Sequence, residues 1–147
     1  MRRLLAPLGA LLVTAPLLVG CASDKERYCE AVQENQTELS EIAAQGGQEA
    51  LIEALDIYRE LQEEAPRDIT DEWDQVVSSI EALDEALSDA GVDPATYDPE
   101  KPPEGVTEEQ QQAIRDAATE LASRETVAAL SGVEQQARDV CKTPLTL

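Results

Sequence analysis

The sequence predicts an all-α protein: a compact bundle of four to five helices, closed by one disulfide bond and preceded by a signal peptide. Apolar residues recur at spacings of three and four along most of the chain, which is the helical period. No stretch of convincing length alternates as a β-strand does, and two cysteines lie near the two ends of the domain. We therefore expect one domain at residues 21–147 behind a removed leader at residues 1–20.

The leader has the three parts of a secretory signal. Met1-Arg2-Arg3 is positively charged, and residues 4–19 form an apolar run that prolines and a glycine interrupt. The run is too short and too broken for a confident membrane span, which needs about 20 apolar residues. It ends in Leu18-Val19-Gly20-Cys21.

These four residues resemble the lipobox of bacterial lipoproteins, whose cysteine sulfur receives a diacylglycerol before cleavage leaves that cysteine as the first residue. The resemblance implies that Cys21 carries acyl chains such as palmitate. It also implies an extracytoplasmic protein that is anchored to the bacterial cell membrane through this lipid. The alternative is an ordinary secretory signal with a chance cysteine. The general secretory route is favoured over twin-arginine export, because the residues that usually flank the arginine pair are missing.

Two cysteines remain once Cys21 is assigned to the lipid. Cys29 and Cys141 then form a pair in an exported, oxidising compartment, which predicts a disulfide bond between them. The alternative is two free, reactive thiols.

The charge of the chain is strongly negative. Removing Arg2 and Arg3 with the leader changes the net charge from −20 to −22, with 31 acidic residues in total. This charge argues against nucleic acid and against anionic headgroups, since both would be repelled. It favours a cationic partner only weakly, because a solvated acidic surface explains the same composition.

Missing residue types exclude several chemistries. The chain has no histidine, and its one methionine is Met1 in the leader. Ser–His and Cys–His nucleophile arrangements, Glu-x-x-His di-iron sites and histidine-ligated haem are therefore excluded. We expect no catalytic residue, no cofactor and no metal site.

Two helices are predicted in the first half of the domain. Ser23 and Glu26 form a capping box that opens the first helix, and Gly46-Gly47 ends it. The second is predicted over Gln48–Glu64, before Pro66. The seam of the first helix is Tyr28, Val32, Asn35, Leu39 and Ile42. Its one polar member is predicted to be a core amide that fixes register, with a ligand contact as the alternative.

The third helix has the most regular seam. Its spacings alternate between four and three, as in a heptad repeat, over Ile69, Trp73, Val76, Ile80, Leu83 and Leu87. The tryptophan is predicted to anchor the core, with a ligand platform as the alternative. The acidic start suits the helix dipole better than a metal cluster; it consists of Asp68, Asp71, Glu72 and Asp74.

A proline-rich segment at residues 91–106 follows. Its acidic residues invite a calcium interpretation, but they lack the order of an EF-hand loop; they are Asp93, Asp98, Glu100 and Glu104. Thr107 and Gln110 form a second capping box and open a fourth helix, which Ser123-Arg124 breaks before a last helix that Pro144 ends.

The Cys29–Cys141 pairing constrains topology. Five helices in simple up–down order would place the C-terminus at the far end from Cys29, so we expect residues 91–106 to cross the length of the bundle. The alternative is that the last two segments form one broken helix. On the crossing topology, the end far from Cys21 contains Gly46-Gly47, Gly91 and the turn at Ser123-Arg124.

A wider resemblance rests on short motifs: Tyr28-Cys29, Asp71-Glu72-Trp73 and Val140-Cys141, together with the lipobox. This combination looks like a group of small actinobacterial lipoproteins. The resemblance implies localisation and architecture only, and no activity.

Three functions are compatible with the sequence. The leading hypothesis is a non-enzymatic interaction or accessory module on the outer face of a bacterial membrane, with a protein or cell-envelope partner. The second is a carrier that holds a small ligand between helices. The third is a hydrolase that works with carboxylates alone.

Overall fold

The computed structural model of the protein describes residues 23–146. The predictions on the leader and on Cys21 lie outside these residues. Within them the fold is all-helical, as predicted, with a short π-helical turn at the end. The elements are α1 (Asp24–Ala43), α2 (Gln48–Glu53), α3 (Leu55–Glu64), α4 (Thr70–Asp89), α5 (Glu108–Leu121), α6 (Arg124–Gln136) and the π turn (Ala137–Cys141).

Both predicted capping boxes are confirmed. The Ser23 hydroxyl accepts the backbone N–H of Glu26 at 3.3 Å, and the Glu26 carboxylate accepts the backbone N–H of Ser23 at 2.7 Å. Thr107 and Gln110 make the same reciprocal pair at the start of α5. Each box satisfies two of the N–H groups that a helix start leaves unpaired, so local sequence alone sets these two helix starts.

The second predicted helix is interrupted at Ala54. The backbone ψ angle of Ala54 is −5°, away from the helical value, and α2 and α3 are separate helices on either side of this residue. Ala54 and Leu55 are both buried, which adjacent residues on one regular helical face rarely achieve. The interruption therefore lets α2 and α3 each direct an apolar face toward the core.

The core is built as the seams predict, and Trp73 is its anchor. Trp73 is fully buried, and its indole N–H donates to the hydroxyl of Tyr28 at 3.2 Å. Asn35 behaves differently from the prediction. It is half-buried, and its amide donates to the Ala31 carbonyl at 3.0 Å, a contact within α1 instead of across the core.

Side-chain contacts establish the direction of the first three rods. Arg27 near the start of α1 pairs with Glu64 at the end of α3 at 3.0 Å, so α1 and the α2–α3 rod are antiparallel. Arg59 of α3 pairs with Glu81 of α4 at 2.9 Å. Together with the short α3–α4 connection, this pair makes those two rods antiparallel as well.

The last rod corrects the predicted crossing topology. Gln110 at the start of α5 donates to the Asp89 carbonyl at the end of α4 at 2.9 Å, so the intervening segment does not cross the bundle. Further along, Gln75 of α4 donates to Thr126 of α6 at 2.9 Å. An added Cβ on Gly132 would lie 3.3 Å from Glu72. The α5 and α6 helices therefore run in the same direction down α4 as one broken rod.

Four rods in up–down–up–down order bring the two ends of the domain together. The predicted disulfide is confirmed between Cys29 and Cys141, whose Cα atoms are 5.0 Å apart. Within the described residues, the π turn is the part of the last rod that packs against α1. The bundle is thus closed at the end where the domain begins. No helix of residues 23–146 is both long and apolar enough to cross a membrane.

Candidate functional site

The bundle has a proximal and a distal end. The proximal end contains the start of α1 and the disulfide, whereas the distal end contains Gly46-Gly47, the end of α4 and the start of α5. The prediction that Ser123-Arg124 lies at the distal end is wrong. Ser123 bonds Thr126, which contacts Gln75 in the proximal half of α4.

A long loop connects α4 and α5 at the distal end of the bundle. The end of α4 and the start of α5 are adjacent through the Asp89–Gln110 hydrogen bond. Connections between bundle helices that meet in this way need about 2–8 residues. Here the connection between α4 and α5 contains residues 91–106, which we call the distal loop. Its length is therefore not required by the topology.

Its own hydrogen bonds organise the distal loop. One carboxylate oxygen of Asp93 accepts the backbone N–H of Ala95 at 2.9 Å, and one of Asp98 accepts that of Glu100 at 2.8 Å. The backbone N–H of Tyr97 bonds the Asp93 carbonyl at 3.0 Å. These Asx turns use two of the four acidic residues considered for calcium, Asp93 and Asp98, as internal supports. Among the described residues, no group of three or more potential ligands is placed to hold a metal.

A groove of about 470 Å³ lies under the distal loop, between that loop, α5 and the start of α2. Ile114 is buried at its base, and Tyr97 is half-buried against the core. We call it the distal groove; its lining is Gln48, Tyr97, Pro99, Ile114, Arg115, Ala118, Thr119 and Ala122.

The distal groove differs in charge from the two other large grooves. Its lining contains Arg115 and no carboxylate, in a chain with 31 acidic residues. A groove of about 280 Å³ between α4 and α6 is lined by three carboxylates, Asp71, Glu72 and Glu125. Another, of about 440 Å³ between α4 and α5, is lined by Glu85, Asp89, Asp116 and Glu120. The lining of the distal groove therefore favours a negative group more than the linings of these two grooves do.

Arg115 is available to a ligand. One of its N–H groups donates to the Gln112 side chain at 2.8 Å, and no carboxylate of the described residues forms an ion pair with it. A guanidinium carries five N–H donors, so most of its capacity is unused by the protein.

The acidic start of α4 follows the dipole prediction. Asp71 and Glu72 lie in the first turn of the helix, where negative charge is favourable. Asp74 accepts a hydrogen bond from Gln62 at 2.8 Å. Among residues 23–146, no Asp or Glu is fully buried, and the buried polar residues are Ser79, Thr126 and Thr143.

The predicted site residues and the distal groove lie at different ends. The structure joins Cys29 and Cys141 at the proximal end, as predicted, and Cys21 lies outside the described residues. The lining of the distal groove was not singled out from the sequence. Tyr97 was the available signal, since it is the one aromatic residue of the proline-rich segment. Arg115 gave no signal, because its neighbours across the groove are distant in sequence.

Together, fold and site define a four-rod helical bundle with one proximal disulfide and a ligand-sized distal groove. No model of a known protein family, no curated protein and no solved structure matches the chain. The chemistry of the groove follows from the residues that line it, an apolar floor and one free guanidinium.

Proposed function

We propose that this protein is a lipid-anchored, extracytoplasmic binding module that works without catalytic turnover. Its membrane attachment is the lipid on Cys21, and its partner is a protein or another component of the cell envelope. The resemblance of Leu18-Val19-Gly20-Cys21 to a lipobox supports the anchor. The distal loop supports the binding role.

One observation carries the binding role: the distal loop is far longer than the α4–α5 connection requires. Loops longer than about 12–15 residues without secondary structure of their own are uncommon and are usually functional or disordered. This loop is organised by hydrogen bonds from Asp93 and Asp98 and packs Tyr97 against the core. An ordered loop of excess length, held over a groove, is typical of a binding surface.

The geometry favours presentation of the distal end away from the membrane. A tether from Cys21 to the start of α1 at Asp24 reaches about 10 Å at most. The 20 residues of α1 span about 30 Å beyond that point. Repulsion between the acidic domain and anionic headgroups acts over about a Debye length and favours an upright domain.

Loop replacement tests this function. Residues 92–106 are replaced by a short Gly-Ser linker, and the lipidated protein is crosslinked and recovered from native membranes. We expect membrane attachment, helicity and the disulfide to persist, because Asp89 and Gln110 remain adjacent, while partner recovery is lost.

The control is a protein with substitutions at Ser131 and Gln135, which lie on the exposed side of α6 away from the loop. Partner recovery should match that of the unmodified protein. Undiminished recovery without the distal loop would contradict the proposal.

A second function, a carrier for a small ligand, has a specific observation in its favour. The distal groove has a volume of about 470 Å³, within the range of about 300–1,000 Å³ that small-molecule sites occupy. Its lining is mostly apolar, with a few polar groups at the rim. No comparable observation favours the carboxylate-only hydrolase, since each Asp and Glu of residues 23–146 is at least partly exposed.

A further inference from the structure

We propose that the distal groove binds a small molecule with an apolar body and a single carboxylate, and that Arg115 holds the carboxylate. This inference rests on the carrier function and names the chemistry of its ligand. The structure offers both halves of such a site on neighbouring surfaces of α5 and the distal loop.

The apolar half of the site consists of a floor of small side chains and a wall formed by the distal loop. Ala118 on α5 and Ala122, the residue that caps the end of α5, lie one turn apart and line the groove with Ile114, which is buried. Tyr97 and Pro99 form the wall on the distal loop. Small residues on the floor and a ring on the wall suit a flat or extended apolar body. Burying such a body removes apolar area of both partners from water.

The polar half is one cation with a neutral neighbour. Arg115 keeps most of its N–H donors free, and a guanidinium matches the two oxygens of a carboxylate. Gln48, at the start of α2, adds a carboxamide to the lining of the groove. The Thr119 hydroxyl already donates to the Arg115 carbonyl at 2.7 Å, so it offers only an acceptor.

Charge contrast selects an anion. A cationic ligand would find three or four carboxylates in either of the two other large grooves and none among the lining residues of the distal groove. The overall negative charge opposes any anion, but exposed charges are screened beyond about 8–10 Å at physiological ionic strength. A carboxylate in contact with Arg115 is inside that distance, so this attraction is screened less than the repulsion from more distant carboxylates.

Three probes with the same ring and different heads test the inference: naphthylacetate, its neutral amide naphthylacetamide, and the cationic naphthylethylamine. Affinities are measured by fluorescence anisotropy with the full-length lipoprotein in zwitterionic nanodiscs, and empty nanodiscs are the blank. We expect the anion to bind about tenfold more tightly than the amide, as one charge-assisted hydrogen-bonded contact provides. The cation should bind most weakly.

Two variants separate the halves of the site. Arg115→Gln should remove the preference for the anion and leave affinity for the amide unchanged. Tyr97→Ala should weaken anion and amide by the same factor, because the ring contacts the body and not the head. The matched control, Arg124→Gln, removes an exposed arginine outside the groove and should change neither affinity. Helicity and the disulfide are checked in every variant.

Each outcome decides between the hypotheses. Equal affinity for anion and amide in the unmodified protein, or an anion preference that survives Arg115→Gln, overturns the carboxylate inference while the carrier function stands. Absence of binding by all three probes overturns both the inference and the carrier function. The interaction module would remain, because loop replacement tests it independently.

Discussion

Tyr28 and Tyr58 flank Trp73 in the core and carry the most perturbed ionisations of the domain. Burial raises the pKa of Tyr28 to about 12, although the hydrogen bond from Trp73 lowers it. Burial also raises the pKa of Tyr58 to about 12, and the negative charge of Glu134 adds to the increase. The ring of Tyr58 lies 6.1 Å from that of Trp73 at 42°. These hydroxyls are held in the core as neutral groups.

Alkaline pH should therefore destabilise the domain. An unfolded tyrosine ionises with a pKa near 10, whereas the folded residues ionise near 12. The stabilisation is complete below pH 10 and is lost as the pH rises toward 12, because the unfolded state releases protons that the folded state retains. The free energy of unfolding should fall by up to about 1.4 kcal/mol per pH unit for each tyrosine. Denaturant titrations between pH 8 and pH 12 measure it.

The informative variant is Tyr58→Phe, which removes one of the two ionisations and keeps the ring against Trp73. It should remove about half of the alkaline loss. A decline equal to that of the unmodified protein would contradict the assignment.

At the scale of elements, the break between α5 and α6 is held by a polar network. The Ser123 hydroxyl accepts the N–H of Thr126 at 3.1 Å, which caps α6. The buried Thr126 hydroxyl donates to the Glu120 carbonyl at 2.9 Å and accepts from the Gln75 amide at 2.9 Å. A side chain of α4 thus secures the point where the last rod changes helix, and this keeps α6 running in the direction of α5.

Loss of this network should destabilise the bundle without unfolding it. Thr126→Val keeps the shape of the side chain but removes its hydrogen bonds to the Glu120 carbonyl and from the Gln75 amide. The Glu120 carbonyl still accepts the backbone N–H of Ser123 at 2.9 Å, so the expected cost is that of the lost hydrogen bonds. We expect a loss of about 1–3 kcal/mol in the free energy of unfolding, measured by urea denaturation. The same change at Thr37, on the exposed side of α1, is the control and should cost much less. Equal effects of the two substitutions would show that the network contributes nothing.

At the scale of the molecule, the disulfide closes the bundle at the proximal end, which is also the end of the proposed lipid anchor. The disulfide joins residues separated by 112 positions, a loop whose closure contributes about 4–5 kcal/mol on chain-entropy arguments. It ties the last rod to α1 near its start at Asp24. The distal end has no such tie, and the distal groove lies there, between α2 and α5. Rigid closure at one end and an open groove at the other suit a domain that is anchored at its base.

The proposed lipid anchor leads to a prediction for the whole protein. Mass spectrometry of the mature N-terminus should find Cys21 as the first residue, carrying acyl chains. Cys21→Ala should release the domain from membranes or stall its processing, while the disulfide and helicity are unchanged because Cys21 precedes the helical domain. An unmodified cysteine, or cleavage at another position, is the contrary result.

The sequence by itself determined the helices and most of the core. Capping boxes at Ser23 and Thr107 are local, since each involves residues three positions apart. The heptad seam placed Trp73 in the core because helical spacing assigns one face of a helix to its neighbours. The pairing of Cys29 with Cys141 followed from counting cysteines on the expectation that the chain is exported. These features depend on short-range chemistry or on elimination, which a sequence contains.

Only the tertiary structure decided the direction of the last rod and the place of the distal groove. The break at Ser123 has the same local signature whether the chain continues or reverses, and the contact with Gln75, far away in sequence, made it continue. Because of that contact, the break lies away from the distal end. The distal loop then leaves and returns to the same end of the bundle instead of crossing it. Arg115 became a groove residue for the same reason. Which helix faces pack together depends on the combined energy of many contacts between residues far apart in sequence. The spacing of residues along the chain does not reveal that energy.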